Sequence, residues 1–332
     1  MQLYLAPMEG LTGYVYRNAY EKNYGGIDKY FTPFLTNKKM SSRELNDILP
    51  EHNEGMQVVP QILTNRAEDF LAIAKELQTY GYQTVNLNLG CPSGTVVAKN
   101  RGAGFLALPE ELDCFLEEIF AKCPIGISIK TRIGKESPKE WERLLSIYEK
   151  YPLEELIVHP RVQREFYKGS VHMDAFALAT EHSRHALCYN GDICTADDYR
   201  RVTECFPDIQ SVMIGRGILK NPGLVGSIRA EFNDAAKGVQ TEKYSQAKTV
   251  VPTDDTLRKE RLRAFHDDIL TGYRAVMSGD KNTLFKMKEL WVYLAEQFVE
   301  PDKYIKKIRK SERVRDYEVI VSNLFRECDL QR

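Results

Sequence analysis

The feature that most restricts the fold of this chain is a regular alternation of short apolar runs with amphipathic stretches of helical length. The runs fall at 3–6, 29–31, 57–61, 84–89, 126–131, 155–159, 186–190 and 210–214, eight in all. Between most of them, segments 66–80, 109–122, 138–150, 195–205 and 221–232 carry apolar residues at helical spacing. Pro109, Pro138 and Pro222 stand where a first helical turn tolerates proline. Strand–helix alternation predicts a parallel sheet with right-handed crossovers. Eight repeats within roughly 230 residues is the count of a (β/α)8 TIM barrel.

Residues 236–256 break the pattern, being polar with little periodicity, and read as a linker. Beyond them helical spacing dominates over 257–278, 281–298 and 303–332, interrupted only by Gly272, Gly279 and Pro301 among breakers. The expected organisation is therefore a barrel domain over 1–235, a linker, and an all-helical domain over 257–332. Charge separates the two parts. The whole chain carries 46 Lys and Arg against 47 Asp and Glu. From residue 256 onward there are 17 against 13, a net of +4, leaving the remainder at −5. Lys303, Lys306, Lys307, Arg309, Lys310, Arg313 and Arg315 crowd one predicted helix with only Glu312 opposing them. Such a run is a solvated helix face or a phosphate-contacting surface, and the content of the barrel decides between them.

Other classes are excluded early. At 43 % apolar residues the chain has ample material for a core, so disorder is not its main state. No run of about 18 apolar residues predicts a membrane span, and no partner membrane is expected. The start, Met1-Gln2-Leu3-Tyr4-Leu5-Ala6-Pro7, reads as a first strand and not as a signal peptide. Seven cysteines without a CxxC pair argue for a reducing, cytoplasmic location and against a disulfide framework or zinc site. No metal is expected, and a monomer is.

In α/β barrels the functional groups sit at the C-terminal strand ends. Here those ends read Pro7-Met8-Glu9-Gly10, Pro60-Gln61, Asn88-Leu89-Gly90-Cys91-Pro92-Ser93, Lys130-Thr131-Arg132, His159-Pro160-Arg161, Asn190-Gly191-Asp192 and Gly215-Arg216-Gly217. Polar closure of seven strands out of eight points to a polar ligand. Gly215-Arg216-Gly217 before Asn221-Pro222 suits a phosphate, with backbone N–H groups and a fork-shaped cation. Lys130 interrupts an apolar strand, so its ammonium needs a salt-bridge partner or a ligand. His159 ends another apolar run, where a lone histidine is more often structural. Cys91, between Gly90 and Pro92, is a buried small hydrophobe, a nucleophile or a thiol acid. An ordinary thiol pKa of about 8.5 keeps the last of these protonated near neutral pH.

These blocks resemble, in their order along the chain, those of the tRNA-dihydrouridine synthases. The carriers are Ala6-Pro7-Met8-Glu9-Gly10, Asn86-Leu87-Asn88-Leu89-Gly90-Cys91-Pro92-Ser93, Lys130-Thr131-Arg132-Ile133-Gly134, His159-Pro160-Arg161 with Tyr167-Lys168-Gly169, Asn190-Gly191-Asp192 and Met213-Ile214-Gly215-Arg216-Gly217. The Asn-x-Gly-Cys-Pro-Ser block is the most specific of them. The resemblance implies FMN on the barrel top and NADPH as reductant. It places Pro7, Met8 and Glu9 along the flavin, Gln61 and Lys130 on its ring edge and His159 beside it. Asn190, Gly191, Asp192, Gly215 and Arg216 would hold its ribityl phosphate. It also implies that Asn88 and Cys91 face a tRNA uracil, that Cys91 protonates C5 after hydride reaches C6, and that Arg161 and Tyr167 lie near the RNA strand. A target base must leave its stack to be reduced, so a backbone grip is needed as well. The basic helix with Lys306, Lys307 and Lys310 is the candidate for it. Competing expectations are a ribosomal RNA substrate, or an FMN-barrel reductase of a small enone or pyrimidine.

Overall fold

The computed structural model describes residues 1–36, 38–233 and 254–331. The expected linker lies outside the described residues as far as residue 253. Eight parallel strands close a barrel in sequence order. They are β1 Gln2–Leu5, β2 Lys29–Leu35, β3 Val58–Ile62, β4 Thr84–Leu89, β5 Gly126–Arg132, β6 Leu156–His159, β7 Leu187–Tyr189 and β8 Ser211–Ile214. Four helices close the chain: α11 Asp255–Val276, α12 Gly279–Leu294, α13 Asp302–Lys310 and α14 Val314–Glu327. The fold is thus the (β/α)8 TIM barrel followed by a helical region. By contact density the chain divides into two units. The first is Met1–Pro7, Asp28–Asp192 and Arg200–Ile214, and the second is Met8–Ile27, Ile193–Tyr199 and Gly215–Arg332.

Within the first unit, alternate side chains of each strand point into the barrel. Tyr4, Phe31, Val59, Ile157, Cys188 and Met213 meet there with Ala6, all buried. Each large side chain in this layer contributes about 1.5–3 kcal/mol of burial. The arc made by β3, β4 and β5 is different. Its inward positions are Gln61, Asn86 and Ser128, also buried, and they are polar. A barrel interior must satisfy such groups internally, and how it does so shapes the site below.

Two readings from sequence are corrected. The strand expected at 29–31 runs on to Leu35, through Pro33. The register against β3 shifts between Phe31 and Phe34, which accommodates the proline's missing N–H. The single helix expected over 303–332 is two helices. Ser311 turns extended after α13, and its hydroxyl donates to the Ile308 carbonyl at 2.7 Å. The freed backbone groups find side chains: Lys288 Nζ donates to Ser311 O at 2.6 Å, and Val314 N donates to Asp280 Oδ2 at 2.9 Å. One local side chain, Ser311, and two from α12, Lys288 and Asp280, thus end one helix and start the next.

The second unit is held by an aromatic seam. Helix α1 (Tyr14–Asn23) presents Tyr16 and Tyr20, followed by Tyr24, to Phe265 of α11, with ring centroids 5.4–6.2 Å apart and nearly perpendicular. A Cβ at Gly272 of α11 would stand 2.6 Å from Val15 Cγ1, so the glycine permits this approach. Farther along, buried His266, Trp291 and Tyr317 share hydrogen bonds through the Tyr317 hydroxyl.

Candidate active site

Four side chains on three adjacent strands form a hydrogen-bonded row across the first unit. Asn88 Oδ1 accepts from the Gly90 and Cys91 N–H groups at 3.0 and 2.9 Å. Its Nδ2 donates to Gln61 Oε1 at 2.7 Å. Gln61 Nε2 donates to Asn86 Oδ1 at 2.8 Å, and Asn86 Nδ2 donates to Ser128 Oγ at 2.8 Å. The Asx turn at Asn88 fixes the backbone that carries Cys91. Cys91 is half-buried, in contrast to the buried Cys188 of the barrel interior. A Cβ at Gly102 would meet Cys91 O at 2.9 Å, and φ there is +54°, so only glycine suits this support of the loop.

Lys130 of β5 stands in register with Asn88 of β4. Among the described residues its ammonium makes no hydrogen bond and no ion pair. Desolvation pushes its pKa from 10.5 down to about 8, and the neighbouring Arg132 charge adds to this. A half-buried cation with no carboxylate is costly, and it is relieved when an anionic ligand arrives.

Arg132 closes β5 and is 1 % exposed. Its guanidinium donates to three loop carbonyls: Nε to Gly90 at 3.0 Å, Nη1 to Val162 at 3.0 Å and Nη2 to Phe166 at 2.6 Å. It also lies 5.4 Å from the Tyr167 ring centroid. Burial lowers its pKa to about 10. It remains charged at neutral pH and ties the β4 loop to the β6 loop. Gln163 adds a second tie, donating from Nε2 to Pro92 O at 3.0 Å.

After β6, Arg161 is fully buried and pairs bidentately with Asp192, at 2.9 Å through Nη1 and Oδ1 and through a second contact from Nη2. Nη2 also donates to Gly169 O at 2.5 Å. Arg161 Nη1 lies 3.2 Å from His159 Nε2, which is the acceptor because a guanidinium only donates. The His159 and Tyr167 rings stack at 6.2 Å and 25°. Asn190 donates from Nδ2 to Met213 O at 2.8 Å, tying the end of β7 to β8. A Cβ at Gly191 would meet Tyr189 Oη at 2.9 Å, and Asp192 takes a left-handed φ of +27°.

The first unit therefore gathers Pro7, Gln61, Asn88, Cys91, Lys130, His159, Arg161, Tyr167, Asn190, Gly191 and Asp192 at strand ends. Met8, Glu9, Gly215 and Arg216 belong to the second unit. There Met8 N donates to Thr12 Oγ1 at 2.8 Å, Glu9 is exposed, and Gly215 caps the short helix Arg216–Lys220. Lys306, Lys307 and Lys310, on α13, are exposed, while Tyr304, Ile305 and Ile308 on the same helix are buried. Sequence reasoning passed over Arg132, Asn86 and Ser128 as site residues. The signal was present, because Asn86 and Asn88 alternate on β4 and so share its inward face.

This is a (β/α)8 barrel whose strand ends carry a row of amides, a thiol in an anchored loop and a lysine without an ionic partner among the described residues, the architecture of a barrel enzyme. The chain matches the family model described as "Dihydrouridine synthase (Dus)" over residues 4–289. It is 30 % identical over 234 residues to a tRNA-dihydrouridine(16) synthase of Pseudomonas putida, covering 68 % of this chain and 72 % of that one. It is 30 % identical over 243 residues to a protein of the same name from Aquipseudomonas alcaligenes, covering 69 % and 76 %. Among solved structures, morphinone reductase aligns with a TM-score of 0.47 at 11 % identity, covering 76 % of this chain and 90 % of that one. The chain belongs to the dihydrouridine synthase family and is an oxidoreductase.

Proposed function

We propose that the protein reduces uridines of tRNA to 5,6-dihydrouridine, with FMN as its cofactor and NADPH as reductant. The observation that carries this reading is the unpaired Lys130 ammonium one strand from the anchored Cys91 loop. A cation of depressed pKa suits the electron-rich edge of a flavin, and a half-buried thiol suits proton transfer to carbon. The names of the relatives support the substrate.

The residues fit FMN on the chemistry of their donors. Lys130 offers its ammonium to the ring, and Gln61, already tied on both sides, offers its remaining amide hydrogen. Pro7 and His159 border the ring, and Asn190, Gly191 and Asp192 supply the ribityl side. We assign Met8 and Glu9 to the same cofactor, and Gly215 and Arg216 to its phosphate. FMN supplies the two-electron hydride chemistry when bound. Asn88 orients the Cys91 loop through two backbone N–H groups. The Cys91 Sγ–H donates its proton to uracil C5. Arg161, locked on Asp192, keeps the His159 proton on Nδ1. Tyr167 covers Arg132 at the RNA side. Lys306, Lys307 and Lys310 meet phosphates, and the exposed cations of α13 give a salt-dependent grip.

The test is incubation of unmodified tRNA and ribosomal RNA with the purified protein and NADPH, followed by mass spectrometry of digests. A gain of two daltons at a mapped tRNA uridine is expected. No gain in either RNA from a yellow protein that oxidises NADPH would instead indicate a small-molecule reductase.

A further inference from the structure

The loop after β6 holds an aromatic side chain in a costly way. Phe166 is 44 % exposed, and its ring makes no ring contact among the described residues. Its backbone sits at φ +52°, ψ −98°, a left-handed conformation that a bulky residue adopts only when its surroundings impose it. Three bonds do so. Phe166 N donates to Gln163 O at 3.0 Å, Lys168 N donates to Glu165 O at 2.8 Å, and Arg132 Nη2 grips Phe166 O. These bonds fix the backbone that carries the exposed ring. Neighbouring Tyr167 differs, because it rests on His159 and Arg132.

The surroundings state what the ring is kept for. Arg164 and Lys168, on either side, are exposed cations. Glu165, the acid between them, is consumed by Val162 N and His172. An exposed π-face flanked by cations fits a nucleobase with its backbone phosphates. The same guanidinium that fixes Phe166 also fixes Gly90, beside Cys91.

We propose that Phe166 is a stacking residue for RNA, taking the face of the base next to the target uridine as that uridine leaves its stack. This rests on the tRNA-reductase reading above. The ring replaces the lost base–base contact, so the extruded state is held while Cys91 acts.

The test uses the holoenzyme, an unmodified tRNA transcript, and the same transcript with an abasic ribose beside the mapped uridine. Phe166→Ala should lower kcat/KM on the intact transcript about tenfold, which is about 1.4 kcal/mol. On the abasic transcript the wild type should fall to the level of the variant. Phe166→Trp should retain activity. Because Trp141 and Trp291 are both buried, the new indole alone reports from the surface. Its emission should be quenched by the intact transcript and not by the abasic one. Equal rates for wild type and Phe166→Ala on both transcripts, or an indole that neither RNA quenches, would overturn the role of Phe166 alone. A wild-type protein that modifies no RNA would overturn the parent reading and this one with it.

Discussion

Replacing Lys130 with methionine should make the ligand-free protein more stable while destroying its activity. Desolvation, with help from Arg132, lowers the lysine from 10.5 to about 8 in the folded chain. In the unfolded chain it titrates near 10.4. Between about pH 8 and pH 10.4 the unfolded state therefore binds more protons, and stability rises with pH across that window. Below pH 8 both states are charged and the folded state bears the whole cost. At about 1.36 kcal/mol for each pKa unit, the full cost is about 3 kcal/mol. Water reaching the half-buried ammonium reduces it to about 1–2 kcal/mol. Methionine matches the length of the stem without the charge. Urea unfolding of both cofactor-stripped proteins at pH 7 and pH 10 is the assay. Lys130→Met should be more stable by about 1–2 kcal/mol at pH 7, and the gap should close toward pH 10. A variant less stable than wild type at pH 7, or a gap indifferent to pH, would refute the reasoning.

Cys91→Ala should keep its flavin and lose dihydrouridine formation by about a hundredfold or more, measured on RNA digests; unchanged turnover would remove the thiol's acid role. Arg216→Ala should purify with less flavin, read from the ratio of visible to ultraviolet absorbance, and an equally yellow protein would count against the phosphate assignment. Neutralising Lys306, Lys307 and Lys310 together should weaken RNA binding and reduce the salt slope by about 2, with flavin content unchanged. An unaltered slope would return α13 to an ordinary solvated face.

How far the sequence could be read depended on the range of the cause. The barrel was legible because strand–helix alternation is local, and seven strand ends already showed polar residues. Cys91 and Lys130 stood out because each violates its neighbourhood, one as a thiol between Gly90 and Pro92, the other as a charge among isoleucines. The run read at 29–31 stops two residues short of Pro33, which the strand in fact passes through to Leu35. The proline's tolerance comes from a register shift against β3, which no local pattern encodes. The break between α13 and α14 was hidden for a similar reason, since Asp280 and Lys288, from another helix, satisfy it. Arg132 looked like one more polar strand end. That it gathers carbonyls from 90, 162 and 166 depends on loops that meet only after folding.

The amide row has a direction. Backbone N–H groups can only donate, so Gly90 and Cys91 decide which end of the Asn88 amide is oxygen. That choice sets the orientation of Gln61, then of Asn86, and finally makes the Ser128 hydroxyl point at Val85 O, at 3.3 Å. None of the four can turn over independently. An Asn88→Asp change would still accept from the loop, but Gln61 Oε1 would then face a second oxygen. Gln61 would have to rotate, followed by Asn86. A one-atom edit at the Cys91 loop would thus be felt on the strands to either side, β3 and β5, as a reversal of donor and acceptor at the edge offered to the ligand. The barrel interior carries hydrogen-bond polarity from a loop to a binding surface as a line of turnstiles carries motion.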